Sequence, residues 1–184
     1  MLNDIRSELN FLMRFHRHIL YICFDAEHIS IRSSQRAEAY SDQPYLAVEG
    51  ENDIRAVGAL AHSVIAENPQ RYRLVAPFSH PRLWISNYSA AEAIIQHGIR
   101  ALKLPYPRLH PHIIVHPKRL TPEDLTHLEL VAGYDLALNL QPKQAYVWLG
   151  RELAQQEFST LQFPTSEGRL FQHPMLAQTL DAVV

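Results

Sequence analysis

The chain has 184 residues, 47% of them hydrophobic, which suits one globular domain with a core and hardly two. Its net charge of −2 removes the electrostatic case for nucleic acid, whose partners carry a basic patch. Its single cysteine, Cys23, excludes an intrachain disulfide and points to a reducing compartment. No apolar run approaches the roughly 20 residues of a spanning helix, and Met1–His18 is too polar in its middle for a signal peptide. The expectation is a soluble cytoplasmic domain, without metal or nucleic acid.

In chain order, Leu2, Ile5, Leu9, Leu12, Phe15 and Ile19 recur at three- and four-residue steps. This predicts an amphipathic helix over Asn3–His18. Its apolar face packs on the domain or on a second copy. Alternatively, with Arg14, Arg17 and the nearby histidines, it makes a weak membrane-surface contact peripheral to the inner membrane.

Leu20–Arg32 then reads as a β-hairpin. Apolar Leu20–Phe24 is followed by a polar tip at Asp25–Glu27, and Ile29 and Ile31 alternate with Ser30 and Arg32. Close approach of a phosphate to such a tip needs glycine. This tip has two carboxylates and none.

Short strands are expected at Tyr45–Glu49, Ile54–Val57 and Arg73–Ala76. A helix is expected at Gly58–Glu67, stopped by Asn68-Pro69. Asn87–Leu102 is a strong helix, weakened at Gly98 by ~1 kcal/mol relative to alanine. A Pro-rich connector, Leu104–Pro111, leads to His112–His116. The contiguous Ile113, Ile114 and Val115 there suit a central strand buried on both faces. Thr121-Pro122-Glu123-Asp124 reads as a helix start. That helix is expected to end at Gly133, followed by a strand at Asp135–Leu140 and a helix at Pro142–Ala154. β elements followed by β-α-β-α argue for a mixed sheet flanked by helices.

From Leu20 to Gly150 these stretches, in this order, resemble the first half of bacterial actin-like rod-shape-determining proteins. This is the MreB family, within the actin/sugar-kinase/Hsp70 superfamily. The resemblance rests on the hairpin, Val57-Gly58 with its helix and Asn68-Pro69, and Arg73–Pro77 before IIQHGIRAL. It continues through HIIVHP, the Thr121 helix, and Asp135–Pro142 with Gly150 closing the next helix. It implies an α/β fold, an actin-like (ribonuclease H-like) mixed β-sheet flanked by helices. Residues 1–18 are then the N-terminal helix, 19–157 a single actin-like domain, and 158–184 a tail packing on the domain or a partner.

For the chemistry, the resemblance makes Asp25 the counterpart of the first phosphate-loop Asp, but Ala26, Glu27 and His28 follow it instead of Gly and Thr. Gln141 matches the glutamine that actins carry before the helix of the Pro142 segment. Where the second phosphate loop should follow, the chain reads FSTLQFPTSEGRLFQ, with one glycine, Gly168. Phosphoryl transfer needs positioning and charge neutralisation that these remnants do not supply. Asp25 and Gln141 are therefore expected to be vestigial nucleotide-site positions, with no cofactor and no catalysis. Read from the residues alone, Asp25 is a turn residue satisfying nearby backbone, and Gln141 a polar residue at a strand end.

Among the eleven histidines, His110, His112 and His116 share strand parity. Yet His112 and His116 would stand roughly 13 Å apart, too far for one metal ion, and Pro111 takes His110 off the strand. Cys23 reads as inert packing.

The expected function is a non-catalytic structural or scaffolding role at the bacterial cytoskeleton or cell envelope. It would act through protein partners, as a homo-oligomer or with a cytoskeletal protein. The alternatives are a nucleotide-binding ATPase half completed by a partner chain, and a membrane-surface adaptor.

Overall fold

The hairpin forms as its alternation implies: β1 (Ile19–Phe24) pairs antiparallel with β2 (Ile29–Ser33), Cys23 opposite Ser30. A computed structural model describes residues 18–51, 53–104, 110–118 and 125–172. The expected helix Asn3–His18 (apart from His18 itself), the helix start at Thr121–Asp124 and the last part of the tail lie outside them.

On the other side of β1, β7 (His112–Pro117) runs parallel to it, and β8 (Gln144–Gly150) runs parallel to β7. Two edge strands complete the sheet, β3 (Arg36–Asp42) and β9 (Gly168–Phe171), in the order β3-β2-β1-β7-β8-β9. A second sheet, β5-β4-β6, is built from β4 (Leu46–Glu49), β5 (Asp53–Val57) and β6 (Tyr72–Val75). Helix α1 (Leu60–Glu67) packs on it through Ala61. Leu46, Val48 and Val75 of the small sheet belong to the main core, so the two sheets share apolar surface.

Both faces of the central strands are dry. Leu20, Ile22 and Phe24 point to one core with Ile113 and Val115, while Ile19, Tyr21 and Cys23 point to another with Ile114 and Trp148. The first face is covered by α2 (Tyr88–Ala101), through Ala91, Ile94 and Ile95, and by α3 (His127–Leu138), through Leu130, Leu136 and Ala137. Asn87 caps α2 by accepting from Ala90 N–H at 3.0 Å. Thr126 and Glu129 form a reciprocal capping box at the start of α3. The second face is covered by α4 (Gln155–Thr160), through Phe158, and by Leu161, Phe163 and Leu170 beyond it. Residues 158–172 thus pack on the domain.

Three expectations are corrected here. The third helix does not end at Gly133 but runs through it to Leu138. A Cβ at residue 133 would stand 2.1 Å from the Trp84 ring, so this glycine serves close packing and not a helix end. Asp135–Leu140 is therefore the last turn of α3 and the residues leaving it, not a strand. Pro142–Ala154 is not a helix. Its Ala145–Leu149 run is β8, buried on both faces, and a short apolar run of this kind has no period that separates strand from helix. The order β-α-β-α survives, with boundaries displaced toward the C-terminus.

A buried polar chain ties the three central strands together. Tyr21 O–H donates to His116 Nδ1, and His116 Nε2–H donates to the Gly150 carbonyl at 3.0 Å. Because a carbonyl only accepts, the proton sits on Nε2. Leu153 N–H closes the chain onto the Tyr21 oxygen at 3.1 Å. Burial pulls the His116 pKa down to about 4 and pushes the neighbouring Cys23 thiol up to about 12.

Ile114 is fully buried in the central strand, so Ile114→Ala should cost about 2–5 kcal/mol in chemical denaturation. Gly133→Ala should also destabilise, by about 1–3 kcal/mol, against the direction of helix propensity, because the Trp84 ring must move. Stability should fall as the pH drops from about 6.5 toward 4, by on the order of 3 kcal/mol. The unfolded His116 takes up a proton in that window and the folded one resists it. His18, whose pKa burial also lowers, adds a component of the same sign. Subtracting the pH–stability curve of His116→Gln from that of the parent isolates the His116 contribution.

Candidate functional site

In an open sheet with parallel strands, ligands collect at the carboxyl ends of those strands. Here that edge gathers the β1–β2 tip, the chain leaving β7 and the chain leaving β8. At the tip, Asp25 Oδ1 accepts from the backbone N–H of Glu27 and of His28, both at 2.9 Å, while Asp25 N–H donates to the His28 carbonyl at 2.9 Å. The turn is closed on itself by a side-chain bond. Amides that would otherwise face an anion are bound to a carboxylate.

Gln141 is not at this edge. It follows α3 and precedes β8, with φ +53°, and its carbonyl accepts from His110 Nδ1 at 2.7 Å. Asp25 lies at the carboxyl end of the strands and Gln141 at the amino end, roughly 20 Å apart at the rise of a strand. The structure does not bring the two together.

The resemblance assigns an acid or amide to the residues just before a helix, and in the structure such a place, between β8 and α4, is held by residues 151–154. Its carboxylate is Glu152. Glu152 Oε2 lies 2.9 Å from Lys118 Nζ, and Oε1 lies 3.1 Å from Arg32 Nη2. Arg32 also donates to the Leu153 carbonyl at 2.7 Å and stacks over the rings of Tyr21 and Phe158. Trp148 Nε1–H donates to the Arg151 carbonyl at 2.8 Å. This connection is clamped at every residue but Ala154 by side chains from the sheet and the residue after β7, and even the Ala154 N–H donates to Glu157 Oε2 at 2.7 Å. Sequence reading missed Glu152 because it fell inside the expected helix; the β-branched and aromatic run Tyr146–Trp148 was the available signal for a strand.

Beside the tip, on the side of α2 and α3, lies a cleft of about 630 Å³ bordered by Phe24, Asp25, Phe78, Arg82, Trp84 and Lys118. Its size is in the range of small-ligand sites. Phe78, Arg82 and Trp84 lie on a segment between β6 and α2 with no periodicity to mark it.

His112 and His116 share the second face of the sheet, where His112 stacks on Tyr146. His110 lies off the strand. No group of three metal-ligating side chains occurs among the described residues, nor is any described helix long and apolar enough to cross a membrane.

Neither the sequence families nor the curated proteins contain a match to this chain. Solved structures do match. MreB5 of Spiroplasma citri bound to AMPPNP superposes with a TM-score of 0.58 at 16% identity, over 72% of this chain and 38% of that one. A non-polymerising mutant of MamK bound to AMPPNP gives 0.57 at 12%, over 72% and 40%. The MamK double helical filament gives 0.54 at 13%, over 73% and 41%. The chain thus spans about two-fifths of the length of these structures. At such identities the likeness concerns fold, and the fold is actin-like: a single α/β domain with a mixed sheet flanked by helices.

Proposed function

We propose that the protein is a structural, actin-like module that works through protein–protein contacts, without nucleotide turnover, at the cytoskeleton or the cell envelope. The observation that supports this best is the hairpin tip, where the Asp25 carboxylate occupies the amides of Glu27 and His28 and Glu27 adds a second negative charge. A triphosphate approaching this edge meets like charge and no free glycine amide. Glu152, the carboxylate nearest in place to a water-orienting acid, is held by Lys118 and Arg32 and has little freedom to accept a proton from water.

Self-assembly is the favoured form of contact, by analogy with the filament formed by MamK and because closed two-fold pairs are the commonest oligomers. A second reading has one specific observation behind it. Glu152 and the cleft both lie at the carboxyl edge of the sheet, as they would in a nucleotide-binding half completed by a partner chain. The MreB5 and MamK structures hold AMPPNP.

Calorimetry with ATP and magnesium should show no saturable heat. Saturable micromolar binding would replace the structural reading by the second one, and Glu152→Gln, which removes a negative charge beside Lys118 and Arg32, should then strengthen it. Light scattering should give a mass above that of one chain; a monomer at every concentration removes self-assembly from the proposal.

A further inference from the structure

Of the buried histidines among the described residues, His116 and His112 are provided for. His116 bonds Tyr21 and the Gly150 carbonyl, and His112 lies 3.4 Å from the Tyr146 hydroxyl and stacks on its ring. His18, immediately before β1, is only 6% exposed, and neither its Nδ1 nor its Nε2 has a partner among the described residues. A neutral imidazole carries one donor and one acceptor. Leaving both unmade in a dry place is costly. A leucine would fill the same place without that cost. What a histidine adds is the ability to take up a proton near neutrality.

Few bonds hold the backbone here. The His18 carbonyl accepts from His112 N–H at 2.8 Å, Ile19 N–H donates to the Ser34 hydroxyl at 2.9 Å, and the Ile19 carbonyl accepts from Ser34 N–H at 2.9 Å. By the alternation of β1, His18 shares the face of Leu20 and Ile22, which α2 and α3 cover. The ionisable groups around this corner are Arg36 of β3, Arg100 and Lys103 at the end of α2, Asp135 in the last turn of α3, and His110 and Lys143 beside β7 and β8. Arg36 is turned to the Leu102 carbonyl and to Glu38, and His110 to the Gln141 carbonyl. Burial accounts for the lowered pKa of His18, and no described carboxylate offsets it. A charged ring in this place has neither acceptor nor counter-charge.

We propose that His18 is a pH-sensitive latch at the amino edge of the sheet. Neutral, its ring seals the start of β1 against the domain. Protonated from solvent, it moves out to water, and the end of the strand comes away with it. The chain before Ile19 is thereby released from the domain at its root. This inference is independent of the protein-contact reading, since it concerns how the chain is fastened and not what the domain binds.

Backbone hydrogen exchange on the whole chain, corrected for its intrinsic pH dependence, tests this. With the open ring titrating near its ordinary value of about 6.5 and the closed ring staying neutral, the opening constant rises about thirtyfold between pH 7.5 and pH 5. The His112 amide, whose acceptor is the His18 carbonyl, should lose protection by that factor, and the Ile19 amide with it. His18→Leu should abolish the rise and hold or raise the melting temperature at pH 7.5, whereas His116→Gln should keep the rise. No rise in the parent, or a rise that survives in His18→Leu, would overturn the proposal. So would a His18 ring that titrates by NMR while both amides stay protected. A His18→Leu variant that melts well below the parent at pH 7.5 would overturn it too, by showing that the neutral ring has a partner to lose.

Discussion

A strand with parallel neighbours on both sides has no face to give to water. β7 is such a strand, with Ile113 and Val115 on one side of the sheet and Ile114 on the other, all fully buried. Most of the architecture answers this demand. α2 and α3 lie over one face. Among the described residues the other receives the short α4, and the chain beyond it supplies further cover through Leu161, Phe163 and Leu170. The same two-sided burial explains the polar chain from Leu153 through Tyr21 and His116 to Gly150. A tyrosine and a histidine placed on the inner face of central strands must find partners within the protein, and these find one another.

The parts of this fold that were legible in the sequence are those with a clean period or a clean stop. Alternation in Ser30–Arg32 marked β2, and the four- and three-residue spacing of Ile95, Ile99 and Leu102 marked α2. Asn68-Pro69 closed α1. β3 escaped because it is an edge strand: Arg36, Glu38 and Asp42 face water or the loops beside it, and such a strand carries no hydrophobic pattern. β8 was misread for the opposite reason, being hydrophobic throughout. Gly133 and Pro142 then supplied false punctuation. The first is a contact for the Trp84 ring, and the second lies in the loop before the strand.

That displacement also decided how much of the site was legible. A boundary error of a few residues in an α/β unit exchanges the two ends of the sheet. Gln141 was thereby expected at the carboxyl edge, where Glu152 stands. Asp25 could be placed from the hairpin alone, since strand, tip and strand follow one another locally. The cleft was not legible at all. Its walls come from the hairpin, from the chain between β6 and α2, and from the start of α3, and no local pattern records that these meet.

The pairing of β1 with β7 has a consequence for how the molecule is made. Cys23 and His116, neighbours across that pairing, are 93 residues apart in the chain. The hairpin and the small sheet are local and can form within microseconds of synthesis. The second edge of β1, by contrast, has no neighbouring strand until His112–Pro117 has left the ribosome. At a typical rate of about 5–20 residues per second, Ile19, Tyr21 and Cys23 wait several seconds with an unpaired strand edge. During translation β1 is therefore a natural target for a chaperone that holds extended apolar chain.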